Sequence, residues 1–93
     1  MDIQKMLTIS TEHITQSTAD MLTYDKDTYQ HGLCVYDKEE YGWFIPVWDE
    51  LLKDYDGPDD LLRCIRYALV NDCQWLCLDC DAETVEDLPT YDW

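Results

Sequence analysis

The sequence predicts one α+β domain of the split β-α-β type (βαββαβ, ferredoxin-like): a four-stranded antiparallel sheet with two helices on one face. Three observations carry this expectation. Four short apolar runs fall near residues 7–10, 33–36, 41–47 and 75–78. Two stretches of helical periodicity separate them. A chain of 93 residues holds a single core, so residues 1–93 are taken as one domain.

Leu7-Thr8-Ile9-Ser10 alternates apolar and polar side chains, which suits a strand with Leu7 and Ile9 inward. Thr15 or Ser17 can cap a helix of about two turns whose apolar side is Ala19, Met21 and Leu22. Asp25 to Gly32 is polar and reads as a loop. Leu33-Cys34-Val35-Tyr36 and Tyr41-Gly42-Trp43-Phe44-Ile45-Pro46-Val47 read as a hairpin across the charged turn Asp37-Lys38-Glu39-Glu40. Trp43, Ile45 and Val47 then share one face and Phe44 takes the other. Pro46 cannot donate to a ladder, so pairing should weaken there.

One helical turn fits around Leu51 and Leu52. Gly57-Pro58-Asp59-Asp60 starts a longer helix, since Pro suits a first turn and aspartates complement its positive end. Leu61, Leu62, Cys64, Ile65, Ala68 and Leu69 form one stripe of that helix, which should stop at Asn71-Asp72. Trp75-Leu76-Cys77-Leu78 is the last strand. The expected strand order is 4-1-3-2. The closing Leu88-Pro89-Thr90-Tyr91-Asp92-Trp93 is too aromatic for a solvated tail and should be pinned to the body. Trp43, Phe44, Trp48, Trp75, Tyr91 and Trp93 exceed what a small core requires; most are expected in the core, with one or two exposed rings as anchors for a partner.

Charge restricts function more than pattern does. Six Lys and Arg face twenty-one Asp and Glu, a formal charge of −15. Phosphate contacts need cations, so direct nucleic-acid binding and attraction to an anionic membrane are not expected. No apolar run has the roughly 18 residues of a membrane span, and Met1-Asp2-Ile3-Gln4-Lys5 does not read as a signal peptide. Five cysteines without such a signal read as reduced thiols of a cytoplasmic protein.

Four constellations have residue types that can carry chemistry. Asp49, Glu50, Asp54, Asp56, Asp59 and Asp60 crowd one segment, and Glu86 and Asp87 continue the acidic theme. Such carboxylates are the candidate contact for a basic protein surface, standing where a nucleic acid presents phosphates; the alternative is a solvated acidic surface. Asp79, Asp81 and Glu83 alternate after a strand, a pattern that can gather oxygens around Mg²⁺ or Ca²⁺. The match to a calcium loop is poor, because Thr84 and Thr90 stand where Gly and Glu are wanted. Cys77 and Cys80 have the spacing of half a zinc site, but the second half is missing and only His13, His31 or the other cysteines could complete it. His13 beside Ser10, Thr11 and Thr15 has the residue types of a nucleophile and base. The three glycines lie too far apart for an oxyanion or phosphate loop, so no catalytic residue is assigned.

Ser10-Thr11-Glu12-His13-Ile14-Thr15, Tyr41-Gly42-Trp43-Phe44-Ile45, Trp75-Leu76-Cys77-Leu78-Asp79-Cys80-Asp81 and the closing Leu88-Pro89-Thr90-Tyr91-Asp92-Trp93 together resemble a family of small acidic proteins of unknown function carried on bacterial conjugative elements, plasmids and phages. The resemblance implies a bacterial, intracellular, mobile-element setting and carries over no site residue. The functional expectation is a non-enzymatic interaction protein without cofactor that meets a basic partner, as a nucleic-acid mimic toward a host protein. The alternative is a cation-binding or cation-stabilised module built on the carboxylates after the last strand.

Overall fold

Strand β1 (Met6–Ser10) leads into a 3-10 turn (Thr11–His13) and helix α1 (Gln16–Tyr24). The hairpin β2 (Tyr36–Lys38) and β3 (Gly42–Pro46) follows, then the single-turn helix α2 (Leu51–Asp54), helix α3 (Asp59–Val70) and strand β4 (Trp75–Asp79). The computed structural model describes residues 1–24 and 32–93. All but the last residue of the loop read over Asp25 to Gly32, and His31, lie outside the described residues.

The class is α+β with one four-stranded sheet, but the sheet is mixed and its order is β1-β4-β3-β2. The expected antiparallel sheet in the order 4-1-3-2 is therefore corrected. β4 occupies the interior and runs parallel to β1, with Leu7 opposite Leu76 and Ile9 opposite Leu78. It runs antiparallel to β3, with Trp43 opposite Leu78 and Ile45 opposite Leu76. Burial explains the exchange of places. Leu76, Cys77 and Leu78 are all buried, whereas Met6 and Thr8 of β1 are exposed. A strand apolar at consecutive positions needs cover on both faces, and an alternating one can sit at an edge.

The hairpin forms, but its first strand lies at residues 36–38 instead of 33–36. Leu33 is buried in the core before the strand begins. The side chains of β3 alternate as expected: Ile45 and Val47 are buried and Trp43 packs against the core. Phe44 lies on the opposite side of the sheet with Met6, Tyr36 and Trp75. Pro46 is the last residue of β3. A Cβ placed on Gly42 would stand 1.7 Å from the Leu78 carbonyl oxygen, so β3 and β4 pack at this spacing only with glycine there.

The helices follow local chemistry. Thr15 caps α1, its hydroxyl accepting the Thr18 N–H at 3.3 Å. In α3, Leu61, Cys64, Ile65 and Ala68 are buried. The helix ends in a Schellman motif: Cys73 N–H donates to the Ala68 carbonyl and Asp72 N–H to that of Leu69. Asp72, at φ 59°, takes the left-handed position usually given to glycine.

The core is aliphatic. Among the described residues no Trp, Tyr or Phe is fully buried, which corrects the expectation that most rings lie inside. Trp48, Trp93, Tyr36 and Tyr41 are exposed, and Trp43 and Tyr55 only flank the core.

Candidate functional site

A groove of about 590 Å³ opens between the 3-10 turn, the middle and end of α1, the turn joining β2 to β3, and Trp93. Its acidic lining comes from three places: Glu12 of the 3-10 turn, Asp20 of α1, and Asp37, Glu39 and Glu40 around the hairpin turn. Tyr41, Trp43 and Trp93 supply aromatic surface, and no Lys or Arg is found among its described lining residues.

Local structure fixes each wall. The Trp93 indole N–H donates to the Ile14 carbonyl at 2.8 Å, so the ring is held in place while 55% exposed. Tyr91 N–H donates to the Glu12 carbonyl at 2.8 Å, closing the tail onto the same turn. Tyr41 N–H reaches the Lys38 carbonyl, and the Tyr41 carbonyl accepts the Cys80 N–H. Glu39 has φ 49°, a left-handed backbone that L-residues other than Asn and Asp enter at a cost of about 1 kcal/mol.

Lys38 is the cation nearest in sequence to these acids, yet it points elsewhere. Lys38, Gly42 and Asp79 are aligned across three strands. With only hydrogen on Gly42 between them, the Lys38 ammonium passes over β3 and pairs with the Asp79 carboxylate. It also stands 5.7 Å from the centre of the Phe44 ring, a cation–π distance. The pairing holds Asp79 below the usual carboxylate range and Lys38 above the usual lysine range.

That contact bears on the carboxylates after β4. One oxygen of Asp79 takes Lys38 and the other accepts the Asp81 N–H at 2.8 Å. Ligand atoms of Asp79, Cys80 and Asp81 lie within 4.8 Å of one another. Glu83 is not in that group, and its backbone carbonyl accepts the Ser10 N–H. The positive charge in this corner is already supplied by lysine.

The acids singled out in the middle of the sequence divide. Asp49, Glu50, Asp54, Asp56 and Asp59 are exposed around α2 and the start of α3. Glu86 and Asp87 are exposed on the tail, where Asp87 accepts the Tyr67 hydroxyl at 3.3 Å. Asp60 stands apart: it is buried and accepts the Thr15 N–H at 2.7 Å and the Thr18 hydroxyl at 2.7–2.8 Å.

His13 is buried, with Nδ1 2.9 Å from the Pro89 carbonyl and Nε2 2.9 Å from the Val85 nitrogen. The carbonyl requires a proton on Nδ1 and the amide requires a lone pair on Nε2, which defines the neutral Nδ1–H tautomer. Both ring nitrogens thus fasten the tail, as the aromatic C-terminus suggested. Cys77 is buried but outside the main core cluster, opposite Thr8 and Phe44 in the sheet.

Five groove acids, Glu12, Asp20, Asp37, Glu39 and Glu40, were not singled out in sequence. The available signal was the charged hairpin turn directly before an aromatic strand. What hid the site is that its other wall comes from α1 and the tail, remote in sequence.

No helix among the described residues is long and apolar enough to cross a membrane. No curated protein and no solved structure matches the chain. Residues 6–93 match the C-terminal domain of a family of unknown function, DUF5983, and the chain belongs to that family.

Proposed function

We propose that this domain is a non-enzymatic binding module that engages a basic surface of a protein partner. The observation that carries this reading is the groove: the carboxylates of Glu12, Asp20, Glu39 and Glu40 and three aromatic residues line one concavity, and its described lining holds no Lys or Arg. A concave site lined by one sign of charge focuses its field and speeds encounter with a complementary partner. Exposed rings held in place add anchors that lose little freedom on binding. The exposed acids Asp49, Glu50, Asp54, Asp56, Asp59, Glu86 and Asp87 extend the negative field beyond the groove. In the setting implied by the resemblance, a bacterial mobile element acting in the cytoplasm, the partner is a host protein whose basic face otherwise holds nucleic acid.

The test is affinity capture of host proteins at low salt, eluted by a salt gradient, with D20N/E39Q/E40Q run in parallel. Basic proteins should be retained by the native domain, released as salt rises, and lost by the variant. Retention of no basic protein, or of the same set by the variant, overturns the reading.

A further inference from the structure

Resting on that reading, we infer that the groove takes arginine side chains of an extended basic segment, in preference to lysine. Size comes first. At about 590 Å³ the groove lies in the range of small-ligand sites and is larger than one side chain needs, so it suits a short run of residues. Chemistry comes second. Carboxylates stand on separate walls, Glu12 and Asp20 on one and Glu39 and Glu40 on the other, with aromatic rings beside them. A guanidinium is planar, forks two N–H groups onto a carboxylate and stacks on a ring; a compact, strongly hydrated ammonium does none of these as well.

Two features point to the groove as a receiving site in its own right. The Trp93 ring is half exposed yet locked by its own N–H, so a stacking face is in place before any partner arrives. Lys38, in the middle of the acidic turn, is committed to Asp79 and Phe44 on the opposite face of the sheet and does not neutralise the groove. Glu39 also holds a carboxylate at a left-handed position where Gly or Asn would be easier, so its replacement by Asn separates binding from folding.

The experiment titrates the native domain with hexa-arginine, hexa-lysine and spermine at equal ionic strength, followed by tryptophan fluorescence and calorimetry. E39N and D20N/E40Q are titrated beside it, with D2N, an exposed acid outside the groove lining, as control. Hexa-arginine should bind at least about threefold tighter than hexa-lysine, the scale of an exposed cation–π contact. E39N should fold at least as stably as the native chain and lose affinity, D20N/E40Q should lose the arginine preference, and D2N should keep it. Groove-dependent binding with equal affinity for the two peptides, or a preference for spermine, overturns the arginine inference and leaves the basic-partner reading standing. Binding of neither peptide, or binding indifferent to the groove variants, overturns both.

Discussion

Asp60 and Thr18 join the starts of two helices: the aspartate, in the first turn of α3, accepts the hydroxyl of a residue in the first turn of α1 at 2.7–2.8 Å. The same carboxylate takes the Thr15 N–H that precedes α1. A negative group here complements the positive ends of both helices. Removing it leaves a part-buried amide and a buried hydroxyl without that acceptor. D60A should therefore cost about 2–4 kcal/mol, summing an unmet buried donor and a lost charge-assisted bond. D60N, which keeps an acceptor oxygen, should cost less. Urea unfolding checks both; a D60A loss below about 0.5 kcal/mol, the scatter of an ordinary surface change, would remove the helix clamp.

His13 holds the tail through two backbone groups, Val85 N–H and Pro89 carbonyl. H13A should leave the sheet folded while freeing the segment after β4. Hydrogen exchange at the Val85 amide should rise toward the free rate, and proteases should cut within residues 83–93. Trp93 would lose its fixed seat, so the groove should bind cations less well in the same variant. Unchanged protection at Val85 would show that the aromatic contacts alone hold the tail.

The Lys38–Asp79 pair sets a pH window. Asp79 is lowered from 3.8 by its bond to Lys38 and the Asp81 N–H. Its contribution is therefore present above the unfolded carboxylate range and lost as pH falls through the lowered folded value. Lys38 is raised from 10.5 by the same bond, so its contribution is present below the unfolded lysine range and lost as pH rises through the folded value. The stability difference between native protein and K38M should be flat around neutrality and shrink at both extremes. Urea midpoints measured across acid, neutral and alkaline pH test this; a difference of the same size below pH 3 as at pH 7 would mean the pair contributes nothing.

The five thiols should react in order of exposure. Cys80 is exposed, Cys34 is half-buried, and Cys64, Cys73 and Cys77 are buried. Burial pushes the Cys64 thiol up to about 12, with Asp60 adding to the rise. Partial desolvation and the neighbouring Asp81 and Asp79 raise Cys80 as well. Iodoacetamide should label Cys80 first, more slowly than free cysteine at neutral pH because less thiolate is present. Cys64 should label only on unfolding. Peptide mapping showing Cys64 modified in the native protein at the Cys80 rate would contradict the buried assignment.

Local elements were readable because their causes are local. The stripe of α3, the cap at Thr15, the stop at Asn71-Asp72 and the alternation of Trp43, Phe44 and Ile45 depend on neighbours a few residues apart. Strand order depends on which run needs cover on both faces. The clue lies in the unbroken Trp75-Leu76-Cys77-Leu78 against the alternating Leu7-Thr8-Ile9-Ser10, a contrast that the ferredoxin-like order does not accommodate. The aromatic residues diverge for a related reason: a small core filled by Ile and Leu has no room for twelve rings, and those among the described residues spread over its flanks. The groove is the least readable part, since its walls come from residues 11–12, 19–23, 37, 39–43, 80 and 93 and converge only in the fold.

Placing β4 between β1 and β3 makes assembly wait for the far end of the chain. A nascent polypeptide that has emerged only as far as α3 carries one lone strand and one hairpin that share no ladder, and the sheet joins when residues 75–79 arrive to bridge them. Contacts of such long sequence separation slow the search. During vectorial synthesis the half-made domain keeps the inner edges of β1 and β3 unpaired, and its dense negative charge is then what restrains neighbouring ribosomal products from annealing to them.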